Sequence, residues 1–122
     1  MTNEPDTRVR LTTRRLPGHT LIALGGELDV ATTAAVRDRI MHTLADAAGP
    51  VIIDLSEVVF ADTSGLALLV GAQRRAEDGG FGLVLAGPPP RVRALLRLTG
   101  LDEGFIIHAT AAEAAAAAPA AL

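Results

Sequence analysis

The densest cluster of potentially reactive side chains is Asp62-Thr63-Ser64-Gly65, set between the apolar run Val58-Val59-Phe60 and Leu66. Two hydroxyls beside a carboxylate suit two different jobs. Asp, Thr and Ser are favoured N-caps, because their oxygens accept from the unpaired N–H groups at a helix start. A hydroxyl in that position is also a good place to carry a phosphoryl group, since the same N–H groups and the positive end of the helix dipole face it. A second carboxylate, Asp29, closes Gly26-Glu27-Leu28-Asp29 just before another helical pattern. It has the type and position of a cap as well. Glu27 reads as a solvent-facing strand residue.

Other chemistries fail on residue type or spacing. Asp-Thr-Ser-Gly differs from the Asp-Thr-Gly of aspartic proteases by an inserted Ser. The chain has no G-x-S-x-G elbow, no H-E-x-x-H and no EF-hand pattern. All eleven basic residues are Arg. Without Lys there is neither a P-loop nor a Schiff base. With no Cys, disulfides and thiolate metal sites are excluded. His19, His42 and His108 lack ligand spacing, so no metal and no cofactor are expected. Arg91, Arg93 and Arg97 read as a solvated basic patch, with a nucleotide or phosphate site as the alternative.

The two acidic clusters need elements to hold them. Val9–Leu16 and His19–Leu28 read as strands joined at Pro17-Gly18, an antiparallel hairpin, with Gly25-Gly26 suited to a bulge or a close backbone approach. Ala31–Ala47 reads as a helix with the stripe Val36, Ile40, Leu44. Val51-Ile52-Ile53 with Leu55 reads as a buried strand. Val58-Val59-Phe60 is expected to pack under the sheet edge or to continue the crossover. A helix is expected over Leu66–Asp78, with Leu66, Leu69, Val70 and Gln73 on one face. A strand over Phe81–Ala86 follows, then a helix over Arg91–Thr99 with Pro90 in its first turn and Val92, Leu95 and Leu96 inward. Gly100 suits a left-handed C′ position with Leu101 as its apolar contact. Phe105-Ile106-Ile107 reads as a last strand. Thr110-Ala111-Ala112-Glu113 has capping-box spacing ahead of an Ala-rich helix. The order β-β-α-β-α-β-α-β-α implies a single α/β domain, with a mixed sheet of about five strands and about four helices. The folded domain is expected over residues 8–115, with a flexible tail at 1–7 and an Ala-rich tail at 116–122.

Composition fits this scale. The chain has 122 residues, 49% of them hydrophobic and 20% charged, which is enough to bury one core. A net charge of −3 leaves no basic footprint, so no direct DNA binding is expected. No apolar run approaches the roughly 18 residues of a membrane span, so no membrane insertion is expected. The polar, acidic N-terminus is unlike a secretory signal, and a cytoplasmic location is the default.

Taken together, Gly26-Glu27-Leu28-Asp29, Phe60-Ala61-Asp62-Thr63-Ser64-Gly65-Leu66 and Leu98-Thr99-Gly100-Leu101 resemble the STAS domain, in particular the bacterial anti-sigma factor antagonists. The resemblance runs from about residue 8 to residue 115. It implies a binding module and not an enzyme. In that family the Ser or Thr directly after the motif Asp is phosphorylated by an anti-sigma factor that is also a protein kinase, and a phosphatase resets the switch. The resemblance therefore points to Thr63 as the acceptor, with Ser64 as the alternate. It places partner binding on Asp29, Asp62, Thr63, Ser64 and Gly65. The unphosphorylated form would hold the anti-sigma factor and free a sigma factor; the phosphorylated form would not. Thr63 stands where Ser is more usual, and Ala67 where Gly often follows Leu66. Two alternatives share the fold: a STAS accessory subunit of an ABC-type lipid or solute transport system, and a nucleotide-binding domain. The absence of Lys and of a phosphate-cradling glycine loop argues against hydrolysis in the latter.

Overall fold

Strand alternation and crossover handedness together account for the architecture. The computed structural model describes residues 7–117. Its strands are β1 (Val9–Leu16), β2 (His19–Leu28), β3 (Val51–Ala61), β4 (Leu83–Ala86) and β5 (Ile107–His108). Its α-helices are α1 (Val30–Asp46), α2 (Thr63–Asp78), α3 (Pro90–Leu98) and α4 (Ala111–Ala117). The strands form one sheet in the order β1-β2-β3-β4-β5, in which β1 is antiparallel to β2 and all later pairs are parallel. The mixed sheet and the order of elements are those expected from the sequence.

Each parallel connection steps in the same direction across the sheet. Right-handed crossovers then put α1, α2 and α3 on one face. The core reflects this: Ile22, Leu24, Ile53, Leu55 and Leu85 pack with Val36, Ile40 and Leu44 of α1, Leu66 and Leu69 of α2, and Val92 and Leu96 of α3. Side chains alternate along a strand. Ile52 and Ala86 therefore point the other way and pack with Ala114 of α4.

Several boundaries differ from expectation. Val58-Val59-Phe60 neither tucks under the sheet nor starts the crossover; it extends β3 to eleven residues. Val58 is in the core, whereas Val59 and Phe60 are exposed. The end of β3 pairs with β2 alone, and β2 follows it through register shifts at Ala23/Gly25 and Gly26/Glu27. Gly26 makes this possible: it has φ +88°, and a Cβ there would lie 2.1 Å from the Arg8 carbonyl oxygen, which accepts a hydrogen bond from Glu27 N. α2 starts at Thr63, three residues earlier than expected, because Asp62 caps it. Its buried face adds Gly65, Leu68, Ala72 and Ala76, while Gln73 donates to the Gly104 carbonyl at 2.7 Å. β5 is Ile107–His108, and Phe105 goes into the core instead. A short 3-10 turn, Leu101–Glu103, follows α3. Gly100 before it is left-handed, at φ +75°. The expected tails, except for Thr7, Ala116 and Ala117, lie outside the described residues. Among the described residues no helix is long and apolar enough to cross a membrane.

Candidate functional site

The site forms where two parallel strands end beside each other. Leu28 of β2 pairs with Ala61 of β3, so the next residue of each strand, Asp29 and Asp62, begins a helix at the same end of the sheet. Asp62 N donates to the Leu28 carbonyl at 3.1 Å, which ties the two exits together. Asp29 and the Thr63 cluster thus lie at the same end of the fold.

Asp29 is a fully engaged cap. Its Oδ1 accepts from Ala31 N and Thr32 N, both at 3.0 Å, and Asp29 N donates to Thr32 Oγ1 at 2.8 Å. This is a reciprocal capping box. Thr33 Oγ1 donates to the Asp29 carbonyl at 2.8 Å. Arg8 Nη1 lies 3.5 Å from Asp29 Oδ2. The Asp29 carboxyl is held below its usual pKa, first by the Thr32 N–H; partial desolvation opposes this, and Arg8, the Thr32 hydroxyl and the Ala31 N–H add to the lowering.

Asp62 caps more sparingly. Its Oδ1 accepts from Ser64 N at 2.8 Å. Thr63 is exposed and Ser64 half-buried. Among the described residues, neither side-chain hydroxyl makes a hydrogen bond. Gly65 is buried against the end of β2: a Cβ there would come 2.9 Å from Leu28 Cβ and 3.2 Å from the Leu28 carbonyl oxygen. Its contribution to the site is to seat the first turn of α2, which fixes where Thr63 and Ser64 project.

Two shallow depressions flank that first turn. One lies between α1 and α2 and includes Val30, Ala34, Arg37, Ser64 and Ala67. The other includes Arg37, Thr63, Ala67, Arg74, Thr99 and Leu101. The third segment singled out in the sequence, Leu98-Thr99-Gly100-Leu101, thus borders the same surface as Thr63. Sequence reasoning missed Val30 and Arg37. Val30, the first residue of α1, is an apolar side chain left 73% exposed. Arg37 lies off the Val36, Ile40, Leu44 stripe, and no sequence period says which flank of α1 meets α2. Among the described residues no group of three or more metal-ligating side chains occurs.

A five-stranded sheet with three helices on one face, and a hydroxyl-bearing helix start at the end of β3, defines a STAS-type module. The family model described as Mlab, STAS domain, matches residues 11–108. The chain belongs to the STAS-domain family. Its relatives include the anti-sigma-F factor antagonist RsfB of Mycobacterium tuberculosis, 33% identical over 94 residues, which are 76% of this chain and 75% of RsfB. An anti-sigma factor antagonist from Mycobacterium paratuberculosis superposes with a TM-score of 0.77 at 31% identity, over 90% of this chain and 93% of that one. The anti-sigma factor antagonist SpoIIAA in its unphosphorylated form gives a TM-score of 0.73 at 27% identity, over 86% and 92% of the two chains. SpoIIAA has also been solved in a phosphorylated form, with a TM-score of 0.68 at 26% identity, over 86% and 96%.

Proposed function

We propose that this protein is an anti-sigma factor antagonist switched by phosphorylation of Thr63. The observation that carries the reading is the exposed, unengaged Thr63 hydroxyl at the first position of α2, beside the Asp62 cap. In the unmodified state the end of the sheet around Asp29, Asp62, Thr63 and Ser64, seated by Gly65, binds an anti-sigma factor that is also a Ser/Thr kinase. A sigma factor is thereby released. The kinase transfers the γ-phosphoryl group of ATP: Thr63 Oγ1 bonds to the γ-phosphorus, the bond to the β,γ-bridging oxygen breaks, ADP leaves, and the hydroxyl proton passes to a kinase base. A phosphatase reverses this with water, releasing inorganic phosphate.

The phosphate brings about −1.5 to −2 charges at pH 7 to a surface that already carries two carboxylates. Both carboxylates are fixed by their caps, so the surface changes potential without refolding. Each ~1.4 kcal/mol lost at the interface weakens binding tenfold, and losing one set of close contacts is enough to release the partner.

The test is incubation with the cognate kinase and ATP, with the phosphate mapped by mass spectrometry. Thr63→Ala should take up none and melt like the wild type. If Thr63→Ala is phosphorylated to the wild-type extent, Thr63 is not the acceptor. Co-purification with an ABC-type ATPase in place of a kinase would favour the transport-subunit reading instead.

A further inference from the structure

Arg37 stands apart from the other charged residues around the site. It lies on α1, yet it borders both depressions beside the first turn of α2, the one with Ser64 and the one with Thr63. Among the described residues it carries no hydrogen bond or ion pair. The nearby carboxylates do not claim it: Asp62 accepts from Ser64 N, and Asp29 is engaged by Ala31, Thr32 and Arg8.

We infer that Arg37 is the phosphate partner of the switch, pairing across the α1–α2 groove with a phosphoryl group on Thr63. This rests on the reading of Thr63 given above. α1 and α2 follow parallel strands and run in the same direction. Helical side chains lean toward the helix N-terminus, so a long side chain at Arg37 extends toward the end where Thr63 sits. Arg74 borders the Thr63 depression too, but from eleven residues further along α2. At 1.5 Å per residue that is roughly 16 Å along the helix axis, too far for a direct pair. Arg37 is seven residues into an α1 that starts level with α2, roughly 10 Å along the axis. An extended guanidinium and a phosphothreonine together span that offset across an interhelical gap of about 8–10 Å. From α3 and the turn after it, only the uncharged Thr99 and Leu101 border this depression. Arg37 therefore pulls the phosphate while Asp62 and Asp29 push it, and Arg8, held at Asp29 Oδ2, offsets part of the Asp29 charge.

A guanidinium–phosphate pair is directional and charge-assisted. Here it would bridge α1 and α2 above Ala34 and Ala67 and beside the exposed Val30. The modification then does more than repel a partner. It lays a fixed charged bridge over the apolar groove where a partner would seat.

The test places phosphothreonine at position 63 of the full chain by genetic encoding, so no kinase is needed. The second ionisation of the phosphate is then followed by phosphorus NMR. A paired cation favours the dianion, so Arg37→Gln should raise the titration midpoint by about 0.5 pH or more. Arg75→Gln removes the same charge from an exposed position that borders neither depression, and it should move the midpoint by less than ~0.2 pH. Arg37→Lys should recover part of the lowering, because the charge returns without the fork. If Arg37→Gln and Arg75→Gln shift the midpoint equally, the pairing is overturned. That result is separate from failure of the parent reading, which would appear as a kinase that leaves Thr63 unmodified in the wild type.

Discussion

The starts of α1 and α2 are built from the same parts and spend them differently. Each follows a parallel strand, each has an Asp cap with extended backbone, and each has two hydroxyl side chains in or next to its first turn. At α1, Thr32 and Thr33 are both buried and both bonded to the Asp29 backbone. At α2, Thr63 is exposed and Ser64 half-buried, and neither hydroxyl bonds to anything among the described residues. The difference comes from position. In α1 the hydroxyls sit at the third and fourth helical residues, where a side chain can reach back to the cap. In α2 they sit at the first and second, and the third is Gly65, which has no side chain to close a box. One helix start uses its hydroxyls for stability; the other leaves them without a bonding partner among the described residues.

The sharpest way to break this contrast is to give α2 a side chain at its third residue. Gly65→Val gains up to ~0.5 kcal/mol in helix propensity. It also drives a Cβ to 2.9 Å from Leu28 Cβ, and overpacking of this kind costs about 3 kcal/mol. The clash wins, so the melting temperature should fall clearly and partner binding should weaken through the displaced first turn. A Gly65→Val protein as stable as the wild type would mean that the seat of α2 on Leu28 is loose.

A matched pair of substitutions tests the hydroxyls directly. Thr32→Val keeps the shape of a buried side chain but leaves the half-buried Asp29 N without its acceptor, at a cost of about 1 kcal/mol or more. Thr63→Val removes a hydroxyl that bonds to nothing, so its stability change should stay within ~0.5 kcal/mol. Denaturant melts of the two variants should therefore separate. Equal losses would erase the distinction between a structural and an available hydroxyl.

Much of this contrast was legible in the residues, and the illegible part has a definite cause. Asp29-x-x-Thr32 and Asp62-x-x-Gly65 differ in sequence in the way the two caps differ in space. The Gly25-Gly26 irregularity, the left-handed Gly100 and Pro90 at the start of α3 each follow from one residue's backbone preference, and each was found where expected. The end of β3 was not foreseen. Val58, Val59 and Phe60 continue the strand only because β2 bends with them at Gly26, and that is a fact about the neighbouring strand. Arg37 was invisible for a similar reason. Its helix and its burial pattern were clear, but its place on the depression that Thr63 borders depends on which flank of α1 the second crossover helix lies against.

The smallest expected effect concerns the charge of the settled helix start. Asp29 has a folded-state pKa below its ordinary value, so the folded state binds its proton less readily than the unfolded chain does. The carboxylate's contribution is fully present above the unfolded value of about 3.9 and is lost as the pH falls through the folded value. Asp29→Asn keeps an equally good cap but cannot titrate. The wild type should therefore hold a small, constant margin in melting temperature over Asp29→Asn near neutral pH. That margin should shrink only below about pH 4, as the Asp29 carboxylate takes up its proton and its ionic contact with Arg8 is lost. A margin that does not change between neutral and strongly acid pH would mean that the shape of the cap, and not its charge, holds α1 in place, and the two helix starts would then differ in their hydroxyls alone.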